Sequence, residues 1–232
     1  VFTHPESQPL HDPFLIPDVD SAVSRLIQAQ TRNEVVAIFG DFDTDGISAT
    51  ALLCRALKNL NIPVLPYIPN RAEEGHGLNT QAMGELLDRG VTLLITVDCG
   101  VTSHQEIAWG NDHGLDVIIT DHHAPGSTLP DAVAIVNTAR SDNQYPFEHL
   151  TGVGTAFKLV QALYQNLGKE CPETLLELVS LGTITDVAPL IGENRTILSR
   201  GLQLINTNPY PGLKALINQT NITPGSLRAE DI

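Results

Sequence analysis

Positive charge is scarce in this sequence. Its 232 residues carry 13 Lys and Arg against 27 Asp and Glu, a formal net charge of −14. A protein that grips nucleic acid through side chains alone shows a basic stripe, because affinity comes largely from neutralised phosphates. No Lys/Arg cluster of that kind occurs here. Phosphate binding would then draw its positive charge from bound divalent cations, with part of the acidity serving as their ligands. Cysteine is sparse as well. Cys54, Cys99 and Cys171 are scattered without a C-x-x-C pair, which excludes a thiolate zinc site and a disulfide framework and suits a reducing cytoplasm. No apolar run reaches the ~18 residues that cross a bilayer, so no membrane partner is expected. The opening VFTHPESQPLHDP has neither a basic nor an apolar signal region, so no secretory signal is expected. Repeats, coiled-coil heptads and low-complexity tracts are missing too.

Short apolar runs recur instead, at 35–39, 64–68, 93–97, 117–119 and 133–136. Each is followed by a loop and most by helical spacing, at 47–60, 80–89 and 103–113. Continuous Val/Ile/Leu runs of this length, separated by helices, predict an α/β fold: a parallel five-stranded sheet with helices on both faces. Gly90 and Gly114 fall where helices should end before the next strand. Beyond about residue 145 the spacing is helical, at 152–167, 173–181, 194–205 and 213–219. The expected organisation is therefore an α/β core over 1–145, followed by a mainly helical segment over 146–232 packed on it.

Ligands of open parallel sheets bind beyond the carboxyl ends of the strands, so the residues just after each run carry the functional information. The first run leads into GDFDTDG, with Asp41, Asp43 and Asp45 on one tight loop. The third leads into Asp98, and the fourth into Asp121, His122 and His123. A single Asp after a strand is commonly a helix N-cap. Five carboxylates and two imidazoles at three adjacent strand ends are a different matter, because such crowding is unfavourable without cations. Carboxylate plus imidazole without thiolate suits Mn²⁺ or Mg²⁺. Two such ions form the clamp used in in-line phosphoryl displacement, and Asp98 on the central strand is the natural bridge. Asp45 and Asp121 are the best candidates for orienting or capping groups.

These residues resemble the DHH phosphoesterase superfamily, whose motif is Asp121-His122-His123 here. The resemblance extends through DPFLIPDVDSA, GDFDTDGISATALL, YIPNRAEEGHGL, TVDCGVTS, VIITDHHAPG, GVGTAFKL and LGTITDVAPLIGENR. These blocks follow the order of the bacterial RecJ-type single-strand exonucleases. The resemblance implies metal-dependent 5′-to-3′ hydrolysis of phosphodiester bonds in single-stranded DNA, in DNA repair and recombination, with replication and repair proteins as partners. It implies two divalent cations, Mn²⁺ or Mg²⁺, with Asp41 and Asp43 on separate ions, Asp98 bridging, and His122 and Asp186 completing one site. His123 would lie beside the scissile phosphate and Arg71 would approach it, so both join Asp45 as candidate catalytic residues. His76 stands where some members carry Tyr and is a substrate-contact candidate. RecJ-type enzymes continue into a further strand-gripping domain, which is expected to lie outside this segment. A phosphodiesterase for short oligonucleotides or cyclic dinucleotides, and a non-catalytic replication scaffold, are the alternatives.

Other candidates rest on local pattern. Gly152 and Gly154 open a helix whose free amides either cradle a phosphate or simply start the helix tightly. Lys158 on that helix either faces the phosphate or is solvated. Arg195, in the GENR block, is a substrate candidate or one half of a helix-terminal ion pair.

Overall fold

The computed structural model describes residues 4–220 and 222–232. In chain order the elements are α1 (Val19–Arg32), β1 (Val35–Gly40), α2 (Thr44–Asn59), β2 (Val64–Tyr67), α3 (Thr80–Asp88), β3 (Val91–Val97), α4 (His104–Asp112), β4 (Asp116–Thr120) and β5 (Ala134–Val136), then α5 (Gly152–Asn166), α6 (Leu176–Thr185), α7 (Gly192–Thr207) and α8 (Pro211–Ile217). The strands form a five-stranded sheet in the order β2-β1-β3-β4-β5, with every neighbouring pair parallel.

The apolar runs are continuous because both faces of the sheet are covered. Along β1, Val36 and Ile38 join a core with α1, α2 and α5, while Ala37 and Phe39 join a second core with α3 and α4. With side chains alternating across the sheet, strands buried on both sides are apolar at nearly every position, and the buried Thr96 and Thr120 hydroxyls bond to backbone carbonyls. The first core also takes in Leu176 and Val179 of α6 and Ile197 of α7. Beyond β5 the regular elements among the described residues are helical, and α5 and α6 both pack on α2.

Helix α1 has no counterpart among the elements expected from sequence. Its apolar stripe of Val19, Ala22, Val23, Leu26 and Ala29 is buried at helical spacing, interleaved with polar residues, so it forms no continuous run. Helix α2 begins earlier than its apolar pattern because Asp43 caps it, accepting a bond from the Gly46 amide at 2.9 Å.

The order of strands reverses between β1 and β3. Connections after these two strands leave in opposite directions, so a crevice opens beyond their carboxyl ends. That crevice is where the acidic residues collect.

Candidate metal centre

Three acids occupy equivalent places, each one residue past its strand, because the parallel ladder runs one step further. The Asp41 amide donates to the Val97 carbonyl at 3.3 Å, the Asp98 amide to Thr120 at 3.0 Å, and the Asp121 amide to Val136 at 3.1 Å. Asp98 then turns the chain with a left-handed backbone, φ 61°. Asp is among the few L-residues that tolerate this region.

Asp121 is an organiser. Its Oδ1 accepts from the His122 amide at 2.8 Å, the His123 amide at 3.1 Å and His123 Nδ1 at 2.7 Å, and its Oδ2 accepts from the Val101 amide at 3.0 Å. Burial works against its charge, yet these donors outweigh it and hold the carboxyl below the usual carboxylate range. The same bond to Asp121 pushes the His123 imidazole up to about 9. More than half of the His123 side chain is exposed.

Asp45 is buried at the junction of three helices. At the start of α2, its two oxygens accept from the Gly152 amide at 2.6 Å and the Val153 amide at 3.0 Å, closing the N-terminus of α5. Gly182 of α6 packs so closely that a Cβ there would lie 2.6 Å from Asp45 Oδ1. Gly152 does the same to the neighbouring acid: its Cβ would lie 2.5 Å from Asp98 Oδ1.

The candidate ligands fall into three overlapping groups: Asp41 with Asp43 and Asp98, Asp45 with His122 and Asp186, and Asp98 with His122 and His123. Within each group one donor atom per residue lies within 4.8 Å of the others. Proximity thus places Asp41 and Asp43 together, where the family resemblance divides them between two ions, and brings Asp45 to the second group. Asp98 and His122 link the groups, with His122 Nε2 at 3.2 Å from Asp98 Oδ1 and 3.9 Å from Asp186 Oδ2. The shorter approach lacks hydrogen-bond alignment, and Asp98 Oδ1 is buried without a hydrogen-bond partner among the described residues.

The electrostatics agree with this crowding. Burial and the charge of Asp98 push Asp45 up to about 7. Burial, only partly offset by His122, pushes Asp98 up to about 6. Burial raises Asp186 as well. Carboxylates in this state are short of positive charge, and an oxygen-rich set with one or two imidazoles is the donor chemistry of Mn²⁺ and Mg²⁺. Asp98, with its orphaned oxygen, belongs both to the group of Asp41 and Asp43 and to that of His122 and His123, as a shared ligand would.

Beside the acids runs a cleft of about 400 Å³, lined in part by Asp41, His76, Asp98, Cys99, Asp121 and His123. Arg71 and His76 come from the loop after β2 and meet on Phe42. The Arg71 guanidinium carbon lies 4.9 Å from the centre of the Phe42 ring, and the His76 ring lies 4.7 Å away. Phe42 did not stand out in the sequence, since an aromatic between two acids gives no local signal of its partners.

Two expectations are corrected. Lys158 does not face a phosphate: it is fully buried, and its Nζ bonds to Glu193 at 2.5 Å and to the His11 carbonyl at 3.3 Å. Gly152 and Gly154 do start a helix, but its amides are taken by protein groups, Asp45 for Gly152 and Val153, and Thr151 Oγ1 for Gly154 at 3.3 Å. Arg195 lies exposed on the first turn of α7 and belongs to none of the three donor groups.

Fold and site together define a parallel α/β protein with a carboxylate–imidazole centre at its switch point. The DHH family, N-terminal domain, matches residues 35–183. The chain belongs to that family. It is 41% identical over 232 residues to the single-stranded-DNA-specific exonuclease RecJ of Bacillus subtilis, covering all of this chain and 29% of the relative. Among solved structures it resembles an exonuclease RecJ bound to manganese, with TM-score 0.85 and 36% identity over 96% of this chain and 56% of that one. It also resembles RecJ of Thermus thermophilus in complex with Mn²⁺, with TM-score 0.78 and 35% identity over 90% of this chain and 30% of that one. The chain thus spans under a third of the length of the Bacillus relative. No helix among the described residues is long and apolar enough to cross a membrane.

Proposed function

We propose that this chain carries the catalytic centre of a divalent-cation-dependent phosphodiesterase acting on single-stranded DNA, of the 5′-to-3′ exonuclease type. The observation that carries the reading is the pair of donor groups sharing Asp98, whose buried oxygen has no partner among the described residues. The names of the RecJ relatives and their manganese complexes support it. Asp41, Asp43 and Asp98 would hold one ion and Asp45, His122 and Asp186 the other, with Asp98 Oδ1, 3.2 Å from His122 Nε2, linking the two. Bound there, Mn²⁺ or Mg²⁺ would neutralise the acids and stabilise charge on the reacting phosphoryl group.

The rest is work for the chain's own side chains. His123, oriented at the cleft by its bond to Asp121, donates a hydrogen bond to a phosphate oxygen or a proton to the leaving oxygen. Arg71 offers planar N–H donors to a neighbouring phosphate. Asp45, beyond its ligand role, locks the first acidic loop to α5 and α6. The three free cysteines fit a reducing cytoplasm shared with DNA, and repair or replication proteins are the natural partners there.

The chain's net charge of −14 favours a second reading, a phosphodiesterase of short oligonucleotides, since long strands rely on basic contacts. The test is Mn²⁺ titration calorimetry with hydrolysis of a long single strand and of a dinucleotide, on the parent chain and on Asp98→Ala. Two ions and strand cleavage, both lost in the variant, support the proposal. Cleavage of the dinucleotide alone moves the short-substrate reading to first place. Ion binding indifferent to Asp98 sinks both.

A further inference from the structure

Arg71 and His76, which lines the cleft, both pack on a residue whose side chain neither ligates a metal nor donates a hydrogen bond, Phe42. Phe42 is half-buried between Asp41 and Asp43. Its amide donates to Asp41 Oδ1 at 2.7 Å, so its ring travels with the first acidic loop. On that ring rest Arg71, at 4.9 Å, and His76, at 4.7 Å and tilted by 54°. The loop that carries them is stapled by Glu74, which accepts from Tyr67 Oη at 2.6 Å and from the Asn70 amide at 2.7 Å.

Arg71 is exposed, and among the described residues no carboxylate pairs with it. Glu73 and Glu74 lie next along the chain, yet they bond to Asn70, Tyr67 and Asn79 instead. A guanidinium held over a ring without a carboxylate partner keeps N–H donors for another ligand. His76 sits between Gly75 and Gly77, whose backbones are left-handed at φ 80° and 75°, and it lines the same cleft as Asp41 and Asp98. The ring therefore joins two separate loops. One carries the acids, and the other carries the cationic side chain that packs against the acidic loop.

We propose that Phe42 is a positioning residue that fixes the distance between phosphate capture by Arg71 and His76 and the acidic centre. The inference rests on the single-strand reading of the site. Without the ring, Arg71 would still be present but would sample many rotamers, and the strand's phosphate would be met at no fixed distance from Asp41 and Asp98. An aromatic ring attracts the guanidinium through its π face without consuming its N–H donors; an aliphatic side chain would fill the space without that attraction.

The experiment is a double-mutant cycle on the full chain: parent, Phe42→Ala, Arg71→Ala and the double variant, with Phe42→Tyr as the conservative control. Binding of a short 5′-phosphorylated oligothymidylate with nuclease-resistant phosphorothioate linkages is read by fluorescence anisotropy in Mn²⁺, and Mn²⁺ binding by calorimetry. Phe42→Ala should weaken strand binding about 3- to 10-fold, the range of a ring–cation contact. Arg71→Ala should weaken it by at least as much, the double variant no more than Arg71→Ala alone, and Phe42→Tyr should recover most of the affinity. Mn²⁺ binding should match the parent in Phe42→Ala. Multiplying effects of the two alanine variants would overturn the proposal, as would loss of Mn²⁺ binding in Phe42→Ala, because the ring would then be serving the acids. A parent that binds two Mn²⁺ and no strand would overturn the single-strand reading and this inference with it, whereas strand binding with independent variants overturns the inference alone.

Discussion

The two edges of the sheet handle acids in opposite ways. At the amino edge, Glu34 just before β1 and Asp116 at the start of β4 are joined by Arg25 of α1, whose Nη2 and Nε lie 2.7 Å and 2.6 Å from them. Thr92 adds a bond to Glu34 at 3.1 Å. Burial opposes the charge of Glu34, but Arg25 wins and holds that carboxyl below its ordinary value. At the carboxyl edge the acids have His122 and His123 near them, and among the described residues no Arg or Lys forms an ion pair with them. There Asp45 and Asp98 are pushed up to about 7 and about 6. Residue type is the same at both ends; the difference is whether the protein itself supplies the counter-charge. A paired buried acid is architecture, and an unpaired one is an invitation to a cation.

Breaking the carboxyl edge should give the largest effect. Asp98→Ala should lower Mn²⁺ affinity and phosphodiester hydrolysis by more than about 100-fold, since even groups one layer behind a metal ligand cost about 10–100-fold; calorimetry and a strand-cleavage assay read it. Gly152→Ala probes the same edge without replacing a ligand. Its Cβ would fall 2.5 Å from the Asp98 carboxylate, so Mn²⁺ affinity should drop about 10-fold, as for other groups that orient ligands. At the amino edge the signs separate. Arg25→Ala should destabilise the fold by about 2–3 kcal/mol, below the full cost of breaking a buried pair because Asp116 is half exposed. Its Mn²⁺ stoichiometry should be unchanged; equal loss of ion binding would erase the distinction between the edges.

The smallest effect concerns pH. The folded-state pKa of Glu34 is depressed from an ordinary 4.5. Its contribution is therefore fully present above about 4.5 and disappears as pH falls through the lower folded value. Urea denaturation of the parent and of Glu34→Gln should accordingly converge in acid and diverge toward neutrality, with the parent the more stable there.

Much of this was legible in the sequence, for physical reasons. The five apolar runs read as strands because a sheet covered on both faces allows no alternation. Asp41, Asp43, Asp98 and His122 were visible because they directly follow those strands, where parallel sheets bind ligands. Asp186 was reached only through the family resemblance, since it caps α6 far from any strand. Lys158 was misread because α5 is buried on most of its surface, and its partner Glu193 lies on α7 with no local signal linking them. The helix start at Gly152 reads from sequence either as a phosphate cradle or as a tight start, and the acceptor it meets is Asp45, 107 residues earlier in the chain. Long-range pairings of this kind leave no periodicity behind.

The close approach of Gly152 to Asp98, and of Gly182 to Asp45, bears on which ions the centre accepts. Side chains lining a cage can swing outward to enlarge it, but Cα atoms in the first turn of one helix and the last turns of another move only with the helices themselves. Two of the acids are thus braced from behind by backbone, and expansion of the cage would require moving α5 away from the end of β3 and α6 away from α2. A stiff cage of this sort discriminates by ionic radius: it suits ions with oxygen distances near about 2.0–2.1 Å, such as Mg²⁺, over Ca²⁺, which needs about 2.3–2.6 Å and more ligands. Selectivity would then be set by the volume that two missing side chains leave open, a property of helix packing more than of ligand identity.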